Sequence, residues 1–420
     1  MDDRSELLQL LDSSRAGGAR AAEVLRQRFE RRLFSGERSR GEAVSSEVWT
    51  LRVWLEGGRA GVAAAATREG LVRAALTEAA AAMPNPYAGP ADRIASSSGS
   101  LGVDDRRHKF IESEDREEML RGVVRVLEAG GARMCGLEYS ELRERRSWLS
   151  SREVEREAAA TTYGLWAEAE IAGVRRDHRI ASRHFSDVAS LPFGLELRRR
   201  LERLALTTAL PDEPLPAVLD PRAMALLVRA IAPMFAASAV AAGNLLTGRL
   251  TRRLAAASLH LTDDAGLAGG LRSQAFDDRG VPPMAVALLK EGVPAGLYHD
   301  PESARAAGLR PTGHFIDGSL QPSNLIVRPG ARTRNVILGE LPAYLLVDQL
   351  PALDPSTGRV AGPTAVTLVR GGKALGTATA DLDMPLETLL LGIEEVAADQ
   401  ERVEEVDAPT TVFAPLPWSR

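Results

Sequence analysis

The sequence contains little cysteine, lysine and histidine. Cys135 is the one cysteine in 420 residues, so an internal disulfide is excluded. Lysine occurs only at positions 109, 290 and 373, and we interpret the use of arginine elsewhere first as a genomic composition bias. None of the six histidines is followed by glutamate, and no two have the helical spacing of metal ligands. The sequence therefore predicts no histidine-based metal site.

Long apolar runs and a signal-peptide pattern are also missing. The net charge is -5 and the sequence pI is about 5.9, which argues against a general binder of nucleic acids or of membrane surfaces. We expect a cytoplasmic chain without a membrane partner and without a direct nucleic-acid partner.

What the sequence does contain is typical of a globular protein. Hydrophobic residues make up 45% and charged residues 26% of the chain, enough to bury a sizeable core. A length of 420 residues exceeds what one core usually holds, so we expect two domains. A charged helical segment and a proline-rich break lie within 191–216. We predict an N-terminal α+β domain over 1–190 and a C-terminal β-rich domain over 191–420.

Apolar spacing and turn residues predict the elements of the N-terminal half. The pattern over 21–34 suits a helix without establishing one. The arginine-rich runs at 143–146 and 175–179 alternate with acids and are interpreted as solvated faces. The other predictions are a short helix within 1–17, a hairpin of 48–56 with 60–66, helices over 67–83 and 114–129, and strands at 132–139, 147–150 and 159–172.

The C-terminal half has more turn signals. Asp220 and Pro221 form a cap that predicts a long helix to about residue 254, and the Glu291-Gly292 pair predicts a hairpin turn. Gly308 ends a predicted helical turn that begins near residue 303. The remaining predictions are strands at 217–219, 284–290, 293–299, 322–330, 336–338, 343–347, 364–370, 373–379 and 410–417, and a helix over 384–397.

Few residues indicate chemistry. The chain has no Gly-x-Ser-x-Gly elbow, so serine hydrolase chemistry has no support. Asp277 and Asp278 are adjacent in a loop and should point apart, which favours loop-forming carboxylates over an acid/base pair. His314 is interpreted as a polar turn residue, with a substrate or interface contact as the alternative.

The segment 276–330 resembles the TldD/PmbA family, the "modulator of DNA gyrase" proteins. The resemblance rests on seven pieces that occur in the family's order, none of them specific alone. A second point is the proline-rich turn at 84–92, so the resemblance extends over most of the chain. The seven pieces are Phe276-Asp277, Gly280-Val281, Glu291-Gly292, Ser303-Ala304-Arg305, Gly308-Leu309, Thr312-Gly313-His314 and Ser323-Asn324-Leu325.

The resemblance is to the zinc-less subunit of the family, of the TldE or PmbA type. It implies an α+β fold, with N-terminal helices on an antiparallel sheet and a C-terminal domain of a large curled antiparallel sheet with a few helices. It also implies a strand rather than a helix at 21–34. The zinc subunit's His-Glu-x-x-x-His helix aligns here with Val228, Arg229 and Pro233, which suit no metal ligand or base. No cofactor is therefore expected in this chain, and zinc is expected in its partner.

The family relationship implies a function as well. It suggests the non-catalytic subunit of a heterodimeric zinc metallopeptidase that degrades or trims unfolded or modified peptides, with a zinc-bearing TldD-type subunit as partner. A stand-alone peptide-binding or scaffold protein, possibly homodimeric, is the alternative, and an enzyme of another chemistry is a third. We expect the strand at 323–327 to lie at or near the cleft shared with the partner and to have a free edge, and the alternative is an ordinary internal strand that its flanking prolines merely end. The predicted peptide or partner contacts are Thr312, Gly313, His314, Ser323, Asn324 and Leu325.

Overall fold

The N-terminal half is built around one long antiparallel sheet. The computed structural model describes residues 3–36, 41–92, 100–354 and 357–419. The sheet has the strand order β3-β2-β1-β4-β5-β6, so the first hairpin and the three later strands join through β1 and β4. Its strands are β1 (Ala21–Ser35), β2 (Glu42–Leu55), β3 (Arg59–Ala65), β4 (Arg133–Ser150), β5 (Glu155–Ile171) and β6 (Val174–Ser182).

Helices cover one face of this sheet in two groups. The first two helices pack on Val24, Leu51 and Leu149, and the third and fifth pack on Tyr139 and Leu165. Because strand residues alternate between faces, the opposite face is left to meet the rest of the molecule. The helices of this half are α1 (Asp3–Ala16), α2 (Leu71–Ala81), α3 (Ser113–Ala129), α4 (Phe185–Ser190) and α5 (Phe193–Ala205).

Three predictions for this half need correction. The segment 21–34 is strand β1, as the resemblance implied, and its helix-like spacing is misleading. The runs at 132–139 and 147–150 belong to the single strand β4, which includes Arg143–Arg146. The arginine-rich run at 175–179 lies in β6. This strand was not predicted because charged residues occupy most of its exposed positions.

The C-terminal half forms two larger sheets that share a buried core with one helix. Its strands are β7 (Ala217–Leu219), β8 (Leu261–Asp264), β9 (Ala285–Lys290), β10 (Val293–Pro294), β11 (Phe315–Ile316), β12 (Ser319–Leu320), β13 (Leu325–Val327), β14 (Ala343–Val347), β15 (Leu353–Asp354), β16 (Arg359–Arg370), β17 (Lys373–Pro385), β18 (Ile393–Val396), β19 (Glu401–Val403), β20 (Val406–Ala408) and β21 (Thr411–Phe413). Its helices are α6 (Pro221–Ile231), α7 (Ala237–Ala242), α8 (Pro301–Ala307), α9 (Arg334–Glu340) and α10 (Leu386–Leu391).

One sheet has the order β10-β9-β8-β13-β20-β19, and the other runs β15-β16-β14-β7-β21-β18 with β17 added beside β16. Pairing is antiparallel except between β13 and β20 and between β14 and β7. Apolar residues of both sheets and of α6 form one buried cluster. The predicted α+β class, with curled and largely antiparallel sheets, is confirmed. The domain division between residues 190 and 191 stays a prediction.

Three other predictions for this half are wrong. The helix that begins at Pro221 ends at Ile231, not near 254, and continues as a short 3-10 helix over Ala232–Phe235. Pro233 has no N–H to donate to the preceding turn, which explains the change of helix type. Residues 336–338 belong to helix α9 rather than to a strand. Residues 384–397 contain the end of β17, the short helix α10 and β18 instead of one helix.

Candidate functional site

The uncovered face of the N-terminal sheet divides into a closed half and an open half. The closed half packs against the loop Phe276–Gly280 of the C-terminal part, where Leu25, Trp148 and Phe276 form a buried cluster. The open half is the floor of a groove of about 710 Å3. The groove is lined by alternate residues of β1, β2, β4, β5 and β6 and by Glu404 of the β19–β20 turn. We call it the sheet groove.

The closed half is fixed by buried charge. Arg279 is 1% exposed, and its guanidinium donates to Glu23 at 3.2 Å and to Glu302 at 2.7 and 3.1 Å. Arg146 pairs with Asp278 across the same junction. The pairs with Glu23 and Arg146 join the N-terminal sheet to the Phe276–Gly280 loop, and the pair with Glu302 fixes that loop to α8, so the closed half is a permanent junction.

The sheet groove carries four charged side chains that have no ion-pair or hydrogen-bond partner within the described ranges. They belong to Arg31, Glu42, Glu138 and Arg179. Between them lie apolar and small side chains, including Trp166. A surface with charges of both signs around an apolar strip suits a polypeptide better than a polyanion.

The motif positions of the resemblance lie on and just after α6. Val228 is fully buried in the core, whereas Pro233 is exposed in the 3-10 helix. Arg229 donates to Glu405 from Nε at 2.7 Å and from Nη2 at 3.1 Å, and to Glu404 from Nη2 at 3.0 Å. A zinc ion needs nitrogen, sulfur or oxygen ligands, and a guanidinium repels a cation. The residues at these positions therefore do not fit a metal.

The rest of the described chain also offers no metal site. Within the described residues, no group of three or more His, Cys, Asp or Glu residues could hold a metal ion. The expectation of a zinc-free chain stays a prediction, which metal analysis can test.

The Glu404-Glu405 turn connects α6 to the sheet groove. Glu404 lines the groove and Glu405 lies next to it, and both are held by Arg229. The backbone of Glu404 has φ 56°, in the left-handed region that favours glycine. The structure thus holds a carboxylate at the rim of the groove in an unfavourable backbone conformation.

The predicted contact residues lie elsewhere. His314 and Ser323 are fully buried, and Asn324 and Leu325 are each 1% exposed. Strand β13 pairs with β8 on one side and with β20 on the other, so the expected free edge at 323–327 is wrong. Pro322 and Pro329 lie outside the paired residues, where they interrupt no ladder bond.

These residues instead form a buried polar network around Asp263. The Asp263 carboxylate accepts hydrogen bonds from Tyr298 Oη at 2.7 Å and from the Ser323 N–H at 2.8 Å, and it also pairs with the Ser323 hydroxyl. His314 Nε2 lies 3.3 Å from Asp263 Oδ1. Because every buried polar group needs a partner, this network fixes the core rather than contacting a ligand.

The other predicted contacts also serve the fold. Thr312 is 6% exposed, and its hydroxyl accepts from the His299 N–H at 3.0 Å. Gly313 has φ 71°, and a Cβ there would lie 2.4 Å from the Pro282 carbonyl oxygen. Asn324 Nδ2 donates to the Asp264 carbonyl at 2.8 Å. A peptide or partner contact by these residues stays untested, but it would require the core to open.

The adjacent acids of the loop point apart, as expected. Asp277 accepts from the N–H groups of Arg279 and Val281 at 2.9 Å each and from that of Phe315 at 3.1 Å. Burial raises the pKa of Asp277 to about 6, and the three N–H donors oppose this rise. Asp278 bonds to Arg146 instead. The two carboxylates form the loop and do not make a shared acid/base site.

The residues of the sheet groove were not predicted from the sequence. Phe29, Arg31 and Leu33 fall in the segment whose spacing also suited a helix, and Arg179 was assigned to a solvated face. The signal in β1 was weak, because Leu25, Phe29 and Leu33 recur at every fourth residue, a spacing that fits one face of a strand and one face of a helix equally well.

The C-terminal part of the chain is similar in sequence to a known protein family. Residues 212–417 match the family model described as the PmbA/TldA metallopeptidase C-terminal domain. The C-terminal part with its two sheets and α6 is therefore a domain of the metallopeptidase-family class. This domain belongs to the TldD/PmbA family. A search of curated proteins gives no match.

Solved structures show the same fold over the whole chain. TldE from Thermococcus kodakarensis has a TM-score of 0.84 at 18% identity, covering 98% of this chain and 99% of that chain. A candidate modulator of DNA gyrase from Bacteroides thetaiotaomicron has a TM-score of 0.85 at 20% identity, covering 100% and 99%. A similar protein from Thermotoga maritima has a TM-score of 0.86 at 17% identity, covering 99% and 100%. At these identities the likeness establishes the fold alone.

Within the described ranges, the helices are all too short or too polar to cross a membrane.

Proposed function

We propose that this chain is the non-catalytic subunit of a heterodimeric zinc metallopeptidase that degrades or trims unfolded or modified peptides. The zinc is supplied by a TldD-type partner subunit, and the pair works in the cytoplasm. The observation that carries the proposal is the replacement of the motif positions by Val228, Arg229 and Pro233 inside a metallopeptidase-family domain.

The contacts of Arg229 support this assignment. Its guanidinium is bound on one side by the Glu405 carboxylate in a two-point contact, and it also reaches Glu404. A bidentate arginine contact fixes the orientation of both groups. The motif helix thus serves to position an acidic turn in place of a catalytic ion.

The sheet groove supports a role in holding peptides. Its volume of about 710 Å3 lies within the range of ordinary ligand sites, and its lining mixes apolar and charged side chains. Next to it, β6 is the outermost strand of its sheet, and among the described strands it pairs with β5 alone. Main-chain pairing at such an edge would hold an unfolded peptide with little regard to sequence.

The decisive experiment is reconstitution with the zinc-bearing relative. The chain and a His-Glu-x-x-x-His relative, ideally one encoded beside its gene, are purified separately and then mixed. Mass in solution is measured by light scattering, zinc by elemental analysis, and cleavage with an unfolded fluorogenic peptide. We expect no cleavage and no stoichiometric zinc in this chain alone, and a 1:1 complex that cleaves the peptide.

The alternative function gives a different result in the same experiment. A stand-alone scaffold or peptide-binding protein would remain a monomer or homodimer in the mixture and would leave the relative's activity unchanged. About one zinc per chain after dialysis of the isolated protein would contradict the proposal directly.

A further inference from the structure

The hairpin turn between β19 and β20 differs from other tight turns of the molecule. The Ala172-Gly173, Glu291-Gly292 and Asp317-Gly318 turns have positive φ at both residues and glycine at the second. This is the expected composition of a two-residue hairpin turn. The Glu404-Glu405 turn has positive φ only at Glu404 and contains no glycine. A glycine at 404 would suit the backbone better, so the glutamate side chain is retained for another reason.

Arg229 forms more hydrogen bonds with Glu405 than with Glu404, so the Glu404 carboxylate is left able to bind another group. Glu405 takes the two-point contact, and Glu404 receives one bond of 3.0 Å from a nitrogen that Glu405 also uses. One guanidinium with two carboxylates leaves a net charge of -1. The Glu404 carboxylate is the one that lines the sheet groove, and its side chain remains 19% exposed.

The position of Glu404 is set in advance of any binding. The turn residues and the Arg229 contact fix its carboxylate at the rim, and a fixed group loses little entropy when a ligand binds. Of the other charges of the groove, Arg31, Glu42 and Arg179 are exposed and Glu138 is half-buried, and none of the four side chains is held by an ion pair within the described ranges. The fixed group is the Glu404 carboxylate, so charge complementarity favours a cation as its ligand.

We propose that Glu404 binds an ammonium group of a polypeptide in the sheet groove, and that Arg229 is the positioning residue that holds Glu404 in place. The ammonium belongs either to the N-terminus of the peptide or to a lysine side chain. The inference rests on the proposed function, because it takes the occupant to be an unfolded peptide. It adds the chemical group that this subunit recognises and the residue that recognises it.

The test measures peptide binding to the full chain without its partner. Four unstructured peptides of equal length carry a fluorescent label at the C-terminal end, and binding is followed by fluorescence anisotropy. The first has a free N-terminus and no lysine, and the second is the same peptide acetylated. The third is acetylated and has one internal lysine, and the fourth has norleucine in its place.

For the wild type we expect the free or the lysine peptide to bind at least about 10-fold more tightly than its uncharged counterpart, the lower end of what a hydrogen bond to a charged group contributes. The first pair identifies an N-terminal ammonium and the second pair a lysine. Glu404→Gln should abolish the preference while leaving the uncharged peptides bound as before. Arg229→Met should weaken it, since Glu404 then loses its fixed orientation.

A matched control is available in another turn. Glu291 is exposed and, like Glu404, has a positive φ, here 50°, but it does not line the sheet groove. Glu291→Gln should leave all four affinities unchanged. Glu404→Gly guards against misfolding, because glycine suits the left-handed backbone; it should fold at least as stably as wild type and still lose the preference.

Three results would overturn the proposal. The first is equal binding of charged and uncharged peptides by the wild type, the second is a preference that survives in Glu404→Gln, and the third is the absence of any peptide binding. If the wild type binds no peptide at all, the groove is not a peptide site and the inference fails. The reconstitution experiment would still decide the subunit assignment independently, since complex formation and cleavage do not depend on this assay.

Discussion

The two halves of the uncovered face of the N-terminal sheet share strands but differ in the burial and the pairing of their charged side chains. In the closed half, Arg279 is buried and paired, and Gly280 lies against the ring of Trp148. In the open half, Arg31 and Arg179 have no partner among the described residues. One face of one sheet thus supplies both a permanent junction and an accessible surface. Buried charges held by ion pairs or by backbone donors mark the junction, and charged side chains without such partners in the described ranges mark the surface.

The largest effect should come from the buried arginine. Replacing Arg279 by methionine leaves Glu23 buried without its partner, and we expect a loss of about 3 to 5 kcal/mol in the free energy of unfolding. Urea denaturation followed by fluorescence measures it. Adding Glu23→Gln should recover part of the loss, because the remaining buried group is then neutral. A single variant as stable as wild type would remove the distinction between the two halves.

A somewhat smaller loss is expected at Gly280. Its φ is 67°, and a Cβ there would lie 2.6 Å from the Trp148 ring. Gly280→Ala should cost about 2 to 4 kcal/mol, from left-handed strain together with overpacking. Gly308→Ala is the control, since Gly308 has the same φ of 67° with nothing within 4 Å. It should cost only about 1 kcal/mol. Equal losses in the two variants would show that the close approach to Trp148 adds nothing to the cost in free energy of unfolding.

The closed half should also respond to pH through Asp277. Burial raises the pKa of Asp277 to about 6, so the folded protein holds this proton more tightly than the unfolded chain does. Lowering the pH from about 7 to about 5 should therefore increase stability through this group by about 1 kcal/mol. The measurement compares wild type with Asp277→Asn across this range, so that other titrating groups cancel. A stability difference between the two that is constant with pH would contradict the assignment.

The smallest effect belongs to the open half. Arg31→Met makes the same change of side chain as Arg279→Met, on the same face, but at an exposed position without a partner. We expect its free energy of unfolding to stay within about 0.5 kcal/mol of wild type. A loss approaching that of Arg279→Met would mean that the sheet groove is closed in solution, and the comparison would fail.

Features fixed by local chemistry could be predicted from the sequence. Asp220 caps α6 and accepts from the Ala223 N–H at 2.9 Å, and Gly308 ends α8 with φ 67°. The Glu291-Gly292 turn follows the rule for its class. In each case the determining residues lie within a few positions of one another, so a single stretch of sequence contains the whole argument.

Features fixed by long-range pairing could not be predicted. The prolines around β13 suggested a free edge, but its partners β8 and β20 lie some sixty and eighty residues away. The apolar run at 336–338 is too short for its period to separate strand from helix, and it forms part of α9. The sheet groove depends on the register of five strands and on which half the Phe276–Gly280 loop covers. No local pattern contains that information.

The pairing of the C-terminal sheets has a consequence for synthesis of the protein. Residues 406–408 complete the sheet that contains β13, and residues 411–413 pair with β7 near the start of the same half. Neither sheet can close until those residues have left the ribosome, whereas every strand of the N-terminal sheet has emerged by residue 182. The N-terminal sheet can therefore fold first, and its face around Trp148 waits for the loop at 276–280 with apolar surface exposed. The nascent chain should be most prone to aggregation, and most dependent on chaperones, during that interval.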